Sequence, residues 1–205
     1  HIARNTVLRL AKLRLQYTFS ATQNSFLFND VNADSAVYAK WYNIQLSSTR
    51  DSVSFSEKWH VSAHELNLIQ YPNPENLSRF FMAGANYQQV TGKLSSGEIP
   101  LNNFSLKAEF RNLTKNKKWE MLLKAQYFLK GYNEGDYDIS AYLFRSFPVY
   151  KSNLSLFFNH ANKTPSFIFD QRSSFLSDQN KIEKKENVFL FGGMFNHPFI
   201  NLGVS

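Results

Sequence analysis

The sequence contains no cysteine and no long hydrophobic run. Without cysteine the chain has no disulfide framework, no thiolate metal site and no cysteine nucleophile. No apolar stretch approaches the roughly 18–20 residues that a transmembrane helix needs, which excludes a helical membrane protein. Glycine is scarce, at 8 of 205 residues, and no glycine-rich phosphate-binding loop is present. Helical periodicity is lacking as well, so the chain is predicted to be all-β.

Motifs for catalysis and metal binding are equally sparse. His60 and His64 are separated by about 13 Å if they lie on a strand, which is too far to share a metal ion. Glu134, Asp136 and Asp138 flank a Gly/Asn turn, whose solvent exposure explains them without glycosidase or calcium chemistry. The nucleophile motif G-x-S-x-G is missing. We therefore predict no catalytic residue, no metal, no cofactor and no enzymatic activity.

Aromatic residues, in contrast, are abundant. The chain has 20 Phe, 10 Tyr and 3 Trp, or 16% of its residues, and yet its mean hydropathy is −0.39. Alternation of apolar and polar residues along strands produces this combination, including in membrane barrels. The net charge is +7, but Lys and Arg are scattered rather than gathered in a block, which argues against nucleic acid as a partner.

The most regular alternation occurs in two neighbouring segments. FSLKAEFRNL, residues 104–113, has apolar residues at every second position, and WEMLLKAQYFL, residues 119–129, repeats this pattern after a short turn. A period of two predicts strands. The second segment would extend roughly 36 Å, and tilted by about 45° it would cover the roughly 25 Å apolar band of a membrane barrel. Soluble strands usually have only about 5–6 residues, so the length favours a membrane-spanning strand.

The whole chain is predicted to form one domain, residues 1–205. We expect about nine or ten strands in sequence order, forming an up-and-down antiparallel transmembrane β-barrel, or meander, as a partial barrel of about 8–10 strands. Residues 24–34 and 92–102 are expected to be loops, and residues 36–46 a strand. The chain starts without Met and ends within a strand-like segment, so we expect a fragment of a longer protein, truncated at one or both ends.

One segment resembles a known family. GYNEGDY, residues 131–137, with the following YLFRSFPVYKSNLSLFFNHANKTPSFIF, is similar to a porin family of outer-membrane proteins from Bacteroidetes-type Gram-negative bacteria, best over about residues 80–169. The resemblance implies location in the bacterial outer membrane, contact with its lipid and lipopolysaccharide, and passive passage of small polar solutes. It implies no catalytic residues and leaves the oligomeric state open. The matching residues, besides TRDSVSF at 49–55, are Trp119, Tyr127, Leu129, Gly131, Tyr132, Asn133, Gly135, Asp136, Tyr137, Thr164, Pro165 and Phe167.

The alternation assigns the two sides of these strands. If the chain is a barrel, the apolar side faces lipid and the charged side faces the lumen. The residues expected to face lipid are Phe104, Leu106, Ala108, Phe110, Trp119, Met121, Leu123, Ala125, Tyr127 and Leu129. The residues expected to face the lumen are Lys107, Glu109, Arg111, Glu120, Lys124, Gln126 and Lys130.

The charged side allows two interpretations of the lumen. Rings of Lys and Arg favour anions, so a net-positive wall predicts porin-like passage that leans towards anions. Alternatively, the interior charges pair with each other and fill the lumen.

Two other functions compete with the porin: a secreted soluble β-sandwich that binds polysaccharide through exposed aromatics, and a glycan-active enzyme. Strand length and the unbroken apolar stripes argue against the sandwich, and no carboxylate pair beyond Asp136 and Asp138 supports the enzyme.

Overall fold

The computed structural model describes residues 12–42, 45–46, 52–73, 76–94, 97–165 and 185–204. Within these residues each strand pairs antiparallel with the next, so the order in the single nine-stranded sheet is the order in the chain. The predicted all-β meander of eight to ten strands is confirmed. The strands are β1 (Leu13–Asp30), β2 (Val53–Gln70), β3 (Arg79–Leu94), β4 (Gly97–Leu113), β5 (Trp119–Gly131), β6 (Tyr137–Phe147), β7 (Ser152–Lys163), β8 (Glu186–His197) and β9 (Ile200–Val204).

Two segments expected to be loops are strands. β1 has 18 residues and continues through the polar segment 24–34 as far as Asp30. β3 continues to Leu94 and β4 starts at Gly97, so most of residues 92–102 lies in a tight hairpin. Both segments contain apolar residues, such as Leu27 and Leu94, but these do not alternate regularly with polar residues as they do in a typical strand. Backbone hydrogen bonds to the neighbouring strand hold them extended nevertheless.

The segment expected to be a strand at residues 36–46 is helical at its start. A short α-helical turn, Ser35–Val37, leads into a π-helical turn, Tyr38–Tyr42. The Asp34 carboxylate accepts hydrogen bonds from the backbone N–H groups of Ala36 and Val37, which caps the turn and explains the departure from the extended conformation. None of the helices in the described residues has the length and apolar character needed to cross a membrane.

The connections differ between the two edges of the sheet. Residues 71–78, 114–118, 148–151 and 198–199 connect strands at one edge, which we call the lower edge. Residues 31–52, 95–96, 132–136 and 164–185 connect strands at the opposite, upper edge. The two longest connections, 31–52 and 164–185, are therefore both at the upper edge. Phe167 and residues 49–51, which contribute to the resemblance, lie outside the described residues.

Burial is distributed unevenly between the two sides of the sheet. We call the side with Phe104 and Leu106 the apolar face and the side with Lys107 and Arg111 the charged face. On the charged face Asn67 and Ser105 are 2% and 1% exposed. On the apolar face Leu106 is 47% exposed and Tyr127 49%. This is the reverse of a soluble sheet protein, in which the apolar side chains form the interior.

A compact apolar cluster of buried residues lies on the charged face, near the upper edge. It consists of Trp59, Val90 and Leu94, with partly buried neighbours around it. Trp59 pairs with Gly92, and a Cβ atom at Gly92 would lie 2.3 Å from the indole ring. Glycine is therefore required beneath the ring. The partly buried neighbours are Val61, Ile99 and Leu101.

Candidate functional site

The apolar face changes to a polar surface along one row, meaning a set of residues paired across neighbouring strands. The register aligns Phe19, His64, Tyr87 and Phe104 in one such row across β1–β4. Below this row the face is apolar, as with Phe81, Ala83 and Ala85 on β3. Above it, the same face continues with Gln89, Thr91 and Lys93 on β3, Ser62 and His60 on β2, and Asn102 and Glu98 on β4.

Rings follow this boundary on every strand from β1 to β8, and we call them the aromatic border. The ring centroids of Phe19 and His64 are 5.1 Å apart, as are those of Tyr137 and His160. The Tyr137 hydroxyl lies 3.1 Å from His160 Nε2, so the polar atoms of the border are partly hydrogen-bonded. The border consists of Phe19, His64, Tyr87, Phe104, Tyr127, Tyr137, His160 and Phe189.

The aromatic border follows one row from β1 to β4 and is inclined to the rows of the sheet from β4 to β8. One row runs through Phe81, Phe110, Leu123, Ala141, Phe158 and Phe191. The border lies six residues above this row at Phe104 on β4, but only two residues above it at Phe189 on β8. Four residues are about 13 Å along a strand, and four strand spacings are about 19 Å, so the inclination over these strands is roughly 35°. A flat boundary crossing tilted strands produces this drift, and barrel strands tilt by about 35–45°.

The lower limit of the apolar band also carries rings, with a cation between them. The Arg145 guanidinium lies 4.3 Å from the centroid of the Trp119 ring and 4.5 Å from that of Phe147. Both distances are within the range of cation–π contacts. On β3 and β4 the band ends at the polar pair Arg79 and Asn112. The apolar face is thus a band with a ring-lined limit on two sides.

Three cations of the charged face form ion pairs with acidic side chains. Lys107 pairs with Glu65, and Arg111 Nη2 lies 2.9 Å from Glu120 Oε1. Lys124 Nζ lies 4.0 Å from Glu109 Oε2. Of the predicted lumen residues, Lys107, Glu109, Arg111, Glu120, Lys124 and Gln126 lie on this face. Each of the three cations Lys107, Arg111 and Lys124 thus has an acidic partner, and the net-positive wall stays a prediction.

The Lys107–Glu65 pair spans three strands, and Gly84 makes this possible. Glu65 is on β2, Lys107 on β4, and Gly84 lies opposite Lys107 on the intervening β3. The side-chain oxygen of Asn67 occupies the space above Gly84, 2.0 Å from where a Cβ atom would lie. Asn67 in turn donates a hydrogen bond of 2.5 Å to Glu65. A side chain at position 84 would separate the partners.

The charged face is polar only over part of its width. Over β4–β6 an open hollow of about 400 Å³ is lined by Lys107, Glu109, Lys124, Gln126 and Asp138, among others. Further along the sheet, the same face carries large apolar side chains. These are Tyr142 on β6, Phe157 on β7, and Leu190 and Met194 on β8. The polar surface is thus concentrated on β2–β6.

A β-bulge near the end of β5 places Lys130 away from the charged face. Ser105 pairs with Phe128, whereas the adjacent Phe104 pairs with Lys130, so Leu129 is inserted without a partner. Residues paired directly across two strands share a face. Lys130 therefore lies on the apolar face beside Phe104, and its expected position with Lys107 is wrong. The predicted lipid-facing residues other than Leu129 lie on the apolar face.

Asp136 organises the upper edge between β5 and β8. It is 3% exposed, and its carboxylate accepts hydrogen bonds of 2.9 Å from both the backbone N–H and the hydroxyl of Thr164. Asn133 Nδ2 donates at 2.9 Å and Lys185 Nζ at 2.8 Å. Thr164 and Lys185 are the two ends of the connection 164–185. Asp136 is thus a buried clamp and not the solvent-exposed turn residue expected from the sequence.

The ionisation of Asp136 reflects this environment. Burial by itself raises the pKa of the carboxyl, but the hydrogen bonds from Lys185, Thr164 and Asn133 outweigh it, and the pKa lies below its ordinary value. Asn133 is held in turn by Asn103 on β4, whose amide donates to Asn133 Oδ1 at 2.7 Å. The structure thereby brings together Asn133, Asp136 and Thr164, which carry the resemblance noted in the sequence. The spacing of these residues could be read from the sequence, but the contacts between them could not.

The described residues contain no group of three or more His, Asp or Glu side chains that could hold a metal ion. His60 and His64 lie on the apolar face, in rows with Thr91 and Tyr87.

No protein-family model matches the chain, and comparisons with curated proteins and with solved structures find no match either. The resemblance to outer-membrane porins therefore stays a prediction.

Proposed function

We propose that the sheet is part of a bacterial outer-membrane β-barrel that allows passive, porin-like passage of small polar solutes. The observation that carries the proposal is the exposed apolar band, with its inclined aromatic border. In this arrangement the apolar face contacts outer-membrane lipid and lipopolysaccharide, and the charged face contacts water. Rings at the limits of the band match the interfacial girdles of membrane barrels.

The size of the band supports lipid rather than water as its surroundings. From β1 to β8 the sheet is about 34 Å wide, and the band on β3 is about 20 Å high, so it covers roughly 700 Å². The largest apolar patch of a typical soluble monomer covers about 300–600 Å². A soluble polysaccharide-binding protein would expose isolated aromatic rings, and a continuous apolar band is not needed for that function.

The paired charges refine the proposed selectivity. Because Lys107, Arg111 and Lys124 each have an acidic partner, we expect a weak preference among ions in place of a marked leaning towards anions. In a meander of nine strands the first and last run in the same direction, whereas bacterial barrels have an even number of antiparallel strands. We therefore propose that an odd number of further strands completes the barrel.

Thiol labelling tests the assignment of the two faces, because the natural chain has no cysteine. Lys124→Cys and Ala125→Cys are a matched pair: the two residues are adjacent on β5, both are exposed in the sheet, and they lie on opposite faces. In outer membranes a charged, membrane-impermeant maleimide should label Lys124→Cys and spare Ala125→Cys. Both variants should react after denaturation in urea.

The labelling result can overturn the proposal. Equal labelling of the two variants in membranes would mean that the apolar face contacts water. A native protein that remains a soluble monomer without detergent would lead to the same conclusion and would favour the soluble polysaccharide-binding alternative. Lys118→Cys, in the turn at the lower edge, serves as a control for reagent access to that side of the membrane.

A further inference from the structure

The apolar face contains an open depression just below the aromatic border. Its floor is formed by Ala83, Ala108 and Ala125, which are paired in one row across β3–β5. Large side chains surround this floor, among them Tyr127 and Tyr137, and the depression has a volume of about 650 Å³. Ligand sites usually have about 300–1,000 Å³ and are lined mainly by apolar and aromatic groups. The depression therefore has the size and character of a site for an apolar chain.

A cation lies directly above this depression because of the bulge in β5. Lys130 is paired with Phe104, which is two residues above Leu106 in the wall of the depression. Two residues along a strand correspond to about 7 Å, a distance that the lysine side chain can bridge. Lys130 is exposed and makes no ion pair with any residue that the structure describes. Bulges often serve to redirect a side chain in this way.

We propose that the apolar face binds an anionic lipid at this position, with one acyl chain in the alanine-floored depression and the lipid phosphate on Lys130. This proposal rests on the proposed membrane function, because it requires the apolar face to contact lipid. Charge complementarity selects the headgroup: an exposed ammonium group at the border of an apolar band matches a phosphate and offers nothing to an uncharged headgroup. The rings of Tyr127 and Tyr137 contact the acyl chain at the aromatic border.

Two variants separate the contributions of the headgroup and of the chain. Lys130→Gln removes the charge from an exposed position, and Ala108→Phe fills the floor without burying a new group in the fold. A hydrogen bond to a charged group contributes enough that its loss should weaken binding by about tenfold. Lys118→Gln is the matched control, since it removes the same charge from the lower edge.

Native mass spectrometry of the full protein in non-ionic detergent measures retention of phosphatidylglycerol. We expect the natural protein to retain it in preference to diacylglycerol with the same acyl chains, which has no phosphate, with a loss of about tenfold for Lys130→Gln and a comparable loss for Ala108→Phe. Lys118→Gln should bind as the natural protein does. Competition by inorganic phosphate at low millimolar concentration would show a free-anion site and overturn the lipid assignment.

The outcome for the lipid site is separable from that for the barrel. Each variant is also run with and without heating on a detergent gel, where an intact barrel migrates differently before and after heating. A normal gel shift with unchanged phosphatidylglycerol retention in Lys130→Gln would overturn the lipid site alone. An equal loss in Lys118→Gln would do the same, because it would indicate general electrostatic attraction. Absence of the gel shift in the natural protein would overturn the barrel and the site together.

Discussion

Replacing Asp136 with alanine is expected to destabilise the protein by releasing the upper-edge connection between β7 and β8. The carboxylate receives two hydrogen bonds from Thr164, one from Asn133 and one from Lys185. All four end on a side chain that is almost completely buried. Alanine removes every acceptor at once and leaves the Thr164 backbone N–H without its partner.

The magnitude follows from these contacts. A hydrogen bond to a charged group contributes about 1.5–3 kcal/mol, but bonds that converge on one carboxylate are not additive. The Lys185 side chain is 32% exposed, so water can replace much of its ion pair. We therefore expect Asp136→Ala to lower the free energy of unfolding by about 2–4 kcal/mol. Asp136→Asn keeps one acceptor and should cost less, about 1–2 kcal/mol.

Urea titration of the protein in detergent micelles, followed by tryptophan fluorescence, measures the free energy of unfolding. Glu134→Ala is the matched control, because Glu134 lies in the same turn with an exposed side chain. If Asp136→Ala lowers the free energy of unfolding by less than about 0.5 kcal/mol, or by the same amount as Glu134→Ala, Asp136 does not stabilise this connection. Limited proteolysis should in addition show faster cleavage of the 164–185 connection in Asp136→Ala.

Three further predictions follow from the same contacts. Because the folded pKa of Asp136 is lowered, its stabilisation is present above the ordinary value of 3.8 and is lost as pH falls through the folded value; urea titrations at several acid pH values should show this loss, and Asp136→Asn should lack it. Gly92→Ala places a Cβ atom 2.3 Å from the Trp59 ring and should cost about 1–3 kcal/mol by urea titration. An unchanged midpoint would show that the ring is free to move. Replacing both Lys107 and Lys124 with Glu leaves unpaired carboxylates on the charged face and should shift single-channel selectivity in planar bilayers towards cations; unchanged selectivity would show that this face does not line the pore.

The strands and their two faces could be read from the sequence wherever alternation is regular. The apolar stripe from Trp119 onwards marked β5, and the stripe starting at Phe104 marked the lower part of β4. Side chains alternate between the two faces of a strand, so the residues that share a face could be identified from the sequence alone. The order of the sheet followed as well, because short turns connect neighbouring antiparallel strands.

The same rule failed where apolar and polar residues do not alternate regularly along a strand. Above the aromatic border the apolar residues of β1, β3 and β4 are irregularly spaced, so residues 24–34 and 92–102 looked like loops. Strand formation there depends on hydrogen bonds to a neighbour, which no local pattern reports. The helical turn after Asp34 was missed because a single capping carboxylate decides it.

By itself, the sequence determined an all-β chain with long amphipathic strands, since residue periodicity is a local property. Only the tertiary structure decided which charges meet, because Lys107 and Glu65 become neighbours through the register of three strands. It also decided the position of Lys130, which one inserted residue moves to the opposite face, and the burial of Asp136 between segments distant in the chain. These features depend on contacts across strands, and the order of residues along a single strand does not encode them.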